Sequence, residues 1–241
     1  MNRRAMMISV ATIAALLLVA CGRADKSISY RYRLTVEVDT PEGLKTGSSV
    51  IGVKIEGQQG LEGSHLDVRA TGEAVAVDLP GGQTLFALLD KADGAAPNAI
   101  DPHLPELPNT ADWWYQDYGR VTQQVGIYEL PRTRLSGFRV DGMANVWPTL
   151  VHFRDIRDPS TVEQVDPDNV AATLGAGYAI KRITVQITDA PVTKGIEKRL
   201  GWFHDYINRH FDNSSTSTED DRKVNISAHL SFGNFTTGFG N

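Results

Sequence analysis

The sequence predicts an α+β fold that is mainly antiparallel β, sandwich-like, with two or three helices. Three observations carry this. Tyr30, Tyr32, Leu34, Val36 and Val38 alternate with polar residues, and Ser49, Ile51, Val53 and Ile55 repeat the alternation. Period two is the mark of a strand with one buried face. Leu85-Phe86-Ala87-Leu88-Leu89 is a continuous apolar run, as in a strand buried on both faces. Ile196, Leu200, Phe203, Ile207 and Phe211 recur at helical spacing.

Taken in order, the first two segments read as an antiparallel hairpin joined by a longish loop over 41–47. Gly57, Gly60 and Gly63 interrupt the alternation, and a short strand is expected over 65–70. Ala74–Leu79 alternates, Pro80-Gly81-Gly82 is a turn, and 85–89 is the next strand. The segment 90–109 reads as loop. Pro102, Pro105 and Pro108 within it fall every third residue, which suits a stiff polyproline II connector better than a ligand strand.

Thr110 is placed to cap a helix over 111–123. That segment holds the densest aromatic cluster: Trp113, Trp114, Tyr115 and Tyr118. Two readings stand. The favoured one buries the rings in the core. The other exposes them to bind a glycan or a partner protein, because rings offer large contact area at small entropic cost.

Short strands are expected over 125–130, 135–140 and 149–153, and a further one over Ile183–Ile187. A short helix is expected over 166–175, with Asp166 as cap, Pro167 in the first turn and Gly175 as terminator. An amphipathic helix is expected over 194–211, weakened by Gly195 and Gly201. A polar stretch over 212–223 precedes a last strand over 224–230.

The amino terminus has a different character. Arg3 and Arg4 precede a charge-free run of 13 residues, Ile8–Ala20, which ends at small residues and the sole cysteine, Cys21. A spanning helix needs about 20 apolar residues, so the run suits a cleaved secretory signal. Leu18-Val19-Ala20-Cys21 resembles the lipobox of bacterial lipoproteins. The resemblance implies a lipoprotein signal peptide over 1–20 and a lipidated tether over 21–29. It also implies acyl chains such as palmitate on Cys21, and leaves one β-rich globular domain over 30–241. It places the protein in the cell envelope, lipid-anchored and facing the periplasm. Gly22 and Arg23 after the cysteine favour the outer membrane over the inner.

The body also resembles uncharacterised proteins of proteobacteria. Pro148-Thr149-Leu150-Val151, Asp158-Pro159-Ser160-Thr161-Val162, Val165-Asp166-Pro167 and Gly195-Ile196-Glu197-Lys198 prompt this. That resemblance implies no activity.

Hydrophobic residues make up 41% of the chain, ample for a core. Without Arg3 and Arg4 the 24 basic residues become 22 against 29 acidic ones, a net charge of −7. An acidic body argues against nucleic-acid binding, which needs a basic face. With Cys21 lipidated, no thiol remains for a disulfide or for catalysis.

Searching for chemistry returns little. The chain has no Gly-x-Ser-x-Gly elbow, no phosphate loop and no His-Glu-x-x-His. His204 and His210 lie six apart, on different faces of the expected helix. Asp155 with Asp158, or Asp112 with Asp117, are carboxylate pairs that 29 acids produce by chance. No metal, no cofactor and no catalytic residue is therefore expected. The expected function is a membrane-anchored envelope lipoprotein that binds or scaffolds another envelope protein or glycan. The alternative is an envelope hydrolase with a site assembled across the fold, near Trp113–Tyr118 and His152.

Overall fold

A computed structural model describes residues 27–60, 63–91, 123, 125–130, 147–207, 209–212 and 226–238. Its strands form two antiparallel sheets. The first sheet holds β1 (Ser27–Asp39), β2 (Lys45–Gly60), β3 (Gly63–Thr71), β6 (Tyr128–Glu129) and β9 (Ala179–Ile187), in the order β3-β2-β1-β9-β6. The second holds β4 (Val75–Asp78), β5 (Thr84–Lys91), β7 (Pro148–Phe153) and β8 (Val162–Gln164), in the order β4-β5-β7-β8. The expected α+β, sandwich-like class is what the chain adopts.

The main core lies between the sheets. Tyr30, Tyr32, Leu34, Val36 and Val38 of β1 pack there with Ile51, Val53 and Ile55 of β2. Leu85, Ala87 and Leu89 of β5 meet them from the second sheet. The outer face of the first sheet is polar at Ser29, Arg31, Arg33 and Thr35, as expected of an antiparallel sheet with one wet side. Gly47 marks a close approach of the sheets. A Cβ built there would sit 2.2 Å from the Ala76 carbonyl oxygen.

β5 is buried on both faces, as its continuous apolar run predicts. Phe86 and Leu88 point away from the first core into a second. The C-terminal part of the chain covers that face with Ile196, Leu200, Phe203, Phe211, Leu230 and Phe235. The result is three layers: a five-stranded sheet, a four-stranded sheet and an aromatic cap.

Five local expectations are corrected. The β1–β2 connection is a tight turn, closed by the Gly43 N–H donating to the Thr40 carbonyl at 2.9 Å, with Gly43 at φ 100°. The helix near 166–175 is shorter, α1 (Val170–Leu174). Asp166 caps the preceding turn instead, accepting from the Asp168 N–H at 2.8 Å. Gly175 ends the helix as expected, at φ 107°.

The long amphipathic helix over 194–211 does not form. One turn, α2 (Ile196–Arg199), ends where Leu200 takes φ −108°, ψ 79°, and a 3-10 turn follows at Phe203–Tyr206. Ile196, Leu200, Phe203 and Phe211 are all buried, while Ile207 is 44% exposed. The apolar spacing is met by folding the segment over a ring cluster, not by a continuous helix. Tertiary packing outweighs periodicity in a segment already weakened by two glycines.

The expected last strand over 224–230 is instead a 3-10 turn, Ile226–Ala228, where described. Consecutive residues Ser227 and Ala228 are both buried there, which an alternating strand does not allow. The stretches 92–122 and 131–146, including the expected helix over 111–123 and strand over 135–140, lie outside the described residues.

Candidate functional site

The described cleft of interest opens where β5 begins and β7 ends. Its volume is about 360 Å3. Gly82, Gln83, Thr84, His152, Arg154 and Asp155 line it, with Thr173 of α1 at the side. Gly81 and Gly82 form the rim at φ 74° and 75°, a left-handed pair that only glycine adopts without strain. Their missing side chains keep the wall low.

His152 and Thr84 are buried polar residues of this cleft, 7% and 6% exposed. Register places His152 beside Leu85 on β5 and Glu163 on β8. Its Nδ1 lies 3.2 Å from the Thr84 carbonyl oxygen. A carbonyl only accepts, so Nδ1 carries a proton, and in the neutral ring Nε2 is the acceptor. Among the described residues no carboxylate is hydrogen-bonded to His152.

The charged groups nearby are committed to one another. Arg154 Nε meets Glu163 at 2.9 Å. Asp155 accepts from the Arg157 backbone N–H, Nε and Nη2, each at 3.0 Å. These hydrogen bonds hold the Asp155 carboxyl below its usual range. Asp158 accepts from the Ser160 N–H at 3.0 Å and its hydroxyl at 2.7 Å. The Asp155 and Asp158 carboxylates both hold the single loop over 154–161, and neither is a free acid awaiting substrate.

The other sequence candidates divide. Cys21, Trp113, Trp114, Tyr115 and Tyr118 lie outside the described residues. His204 is exposed on the 3-10 turn, and His210 forms a backbone bridge with Ser231. The structure does not gather them at the His152 cleft. Among the described residues no group of three His, Cys, Asp or Glu is placed to hold a metal. Among the described residues no helix is long and apolar enough to cross a membrane.

Sequence reasoning missed Glu73. It is buried, and its two carboxylate oxygens accept from the Gly195 and Ile196 N–H groups at 2.9 Å each. Burial raises its pKa, against the lowering by these two bonds. The available signal was an acid set directly against the apolar run Ala74-Val75-Ala76-Val77. Sequence reasoning also missed an aromatic cluster among the described residues. Trp202, Tyr206 and Phe211 stack edge-on, with Trp202 to Phe211 at 5.1 Å, and Trp202 Nε1 donates to the Ile156 carbonyl at 2.7 Å.

No protein-family profile, no curated protein and no solved structure matches the chain.

Proposed function

We propose that the chain is a lipid-anchored protein of the cell envelope that binds or scaffolds another envelope protein or glycan from the periplasmic side. The observation that carries this is the run Leu18-Val19-Ala20-Cys21, with the first strand beginning at Ser27. A folded body that starts so soon after an acylated cysteine is held close to its membrane. Two or more acyl chains, at about 0.8 kcal/mol per buried methylene, make that attachment lasting.

Binding fits the described cleft better than chemistry does. It is walled by glycine, a carbonyl-tethered histidine and charges already paired with neighbours. Expression of Cys21→Ser beside the native chain tests the anchor. The native protein should stay with membranes and carry acyl mass at Cys21. The variant should move to the soluble fraction, and unchanged retention would reject the reading.

One observation favours a second reading, an envelope hydrolase. In the neutral ring, His152 Nε2 is an acceptor in a cleft that Asp155 also lines. Hydrolysis of ester or glycoside substrates by the purified chain, lost in His152→Asn, is the result that reading requires.

A further inference from the structure

We propose that the end of the sandwich bearing Ser27 and the β2–β3 hairpin rests on the bilayer surface, so that the His152 cleft is held at the opposite end. The proposal rests on the lipid-anchor reading of Cys21. It adds which surface of the folded body meets lipid.

The register sets the two ends. Ser27 pairs with Glu56, and at the other end Val38 pairs with Lys45. β9 starts beside Asp39 and ends beside Tyr32, so Ser27–Arg31 lie beyond it. β2 and β3 run further still, pairing out to Gly60 and Gly63. The hairpin therefore overhangs Ser27 by the four residues from Glu56 to Gly60, about 13 Å at strand rise.

The tether length can be set against that overhang. Five residues, Gly22–Lys26, separate Cys21 from Ser27. Six chain steps reach about 20 Å when fully extended. That ceiling exceeds the overhang of the hairpin by only about 7 Å, so even at full stretch the β2–β3 end lies within about 7 Å of the level of Cys21.

The cleft lies at the other end by two independent routes. The Ser49 hydroxyl donates to the Glu73 carbonyl at 2.6 Å, while Gly47 abuts the Ala76 carbonyl. β4 therefore climbs toward the Asp39 end, and the Gly81–Gly82 rim follows it. On the other side of the cleft, Thr173 of α1 leads through Gly177, which lies against Pro41 of the β1–β2 turn, into Ala179 opposite Asp39. From Ser27 to Asp39 is about 40 Å of strand. The cleft is thus offered to a partner approaching from the periplasmic space, not to one lying in the membrane plane.

The lipidated protein lends itself to a direct test, because acylation consumes its sole natural thiol. Ser64→Cys near the hairpin tip and Glu42→Cys on the β1–β2 turn are each labelled with a fluorophore. Each protein is placed in vesicles of phosphatidylethanolamine and phosphatidylglycerol containing a headgroup-level nitroxide lipid. Quenching at Ser64→Cys should exceed that at Glu42→Cys by at least about twofold. Protein that floats with the vesicles but quenches equally at both positions, or more at Glu42→Cys, overturns the orientation and leaves the anchor standing. Protein that does not float overturns the anchor reading and the orientation with it.

Discussion

Glu73 and Ile196 are 123 residues apart in sequence, yet a Glu73 carboxylate oxygen accepts the Ile196 N–H at 2.9 Å. The other oxygen takes the Gly195 N–H at the same distance. One side chain thus satisfies two unpaired donors at the start of α2. The Ala74 N–H meanwhile donates to the Phe235 carbonyl at 2.8 Å, tying the same edge to the end of the chain.

Burial raises the Glu73 pKa in the folded protein above its ordinary value near 4.3. The folded state then holds a proton that the unfolded state has released. The stability from that proton is fully present below the unfolded pKa and is lost as pH rises through the folded one. Glu73→Gln does not titrate. The stability of the native chain relative to Glu73→Gln should therefore fall as pH rises from about 4 through the raised folded value, then level off. Urea unfolding of both proteins at several pH values measures this. A difference that stays constant with pH contradicts the assignment.

Gly47 and Gly201 should respond oppositely to alanine. A Cβ at Gly47 meets the backbone of β4 at 2.2 Å, and neither strand can yield without parting the sheets. Overpacking of this kind costs about 1–3 kcal/mol or more. Gly201 has open space around it and no positive φ. Gly201→Ala should be neutral or stabilise by up to about 1 kcal/mol. Thermal melts of the two variants decide the matter. Similar losses in both would remove the close approach at Gly47 as the cause.

The architecture was readable wherever one residue's surroundings are set by its own strand. Tyr30 to Val38 alternate because one sheet face is wet and one dry, and that pattern is local. Leu85 to Leu89 betrayed a strand with two dry faces for the same reason. The segment after Gly195 was not readable in this way. Its apolar spacing fits a helix, but the partners that bury Phe203 and Phe211 lie on β5, β7 and the chain's end. Helical spacing records which residues are buried and not the path between them. Of the cleft, His152 stood in the sequence only as part of the alternative hydrolase site. The walls come from 81–84, Phe86, 152–156 and Thr173, and nothing in those separate stretches announces that they meet.

Glu37 and Arg182 face each other across β1 and β9, with Arg182 Nη2 donating to Glu37 Oε1 at 2.7 Å. Glu37 is 9% exposed, and its Oε2 is buried with no hydrogen-bond partner among the described residues. Arg182→Met takes away the cation and leaves both carboxylate oxygens unanswered. The expected loss is about 1–3 kcal/mol, the cost of stranding a buried charged acceptor. Adding Glu37→Gln should recover part of it, because a neutral amide costs less to bury. Denaturation of the two single variants and the double variant gives the coupling. Strictly additive losses would show that the pair contributes nothing beyond its separate side chains.

Phe235 is the ring on which the cap converges. It is fully buried, with ring centroids of Phe86 at 5.5 Å, Phe211 at 5.6 Å and Phe153 at 5.9 Å. Phe86 and Phe153 belong to the four-stranded sheet, whereas Phe211 and Phe235 belong to the covering segment, so this cluster joins layer to layer. Phe235→Ala should cost about 3–5 kcal/mol, the transfer free energy of the ring plus the cavity it leaves. Phe235→Leu keeps most of the volume and should cost clearly less. The layering makes a further distinction. Phe235→Ala opens the outer core, so in a background with Trp113, Trp114 and Trp147 replaced by Phe, Trp202 fluorescence should shift at lower urea than far-ultraviolet circular dichroism, which reports mainly the sheets. Coincident transitions at a lowered midpoint would mean that the cap and the two sheets unfold as one unit.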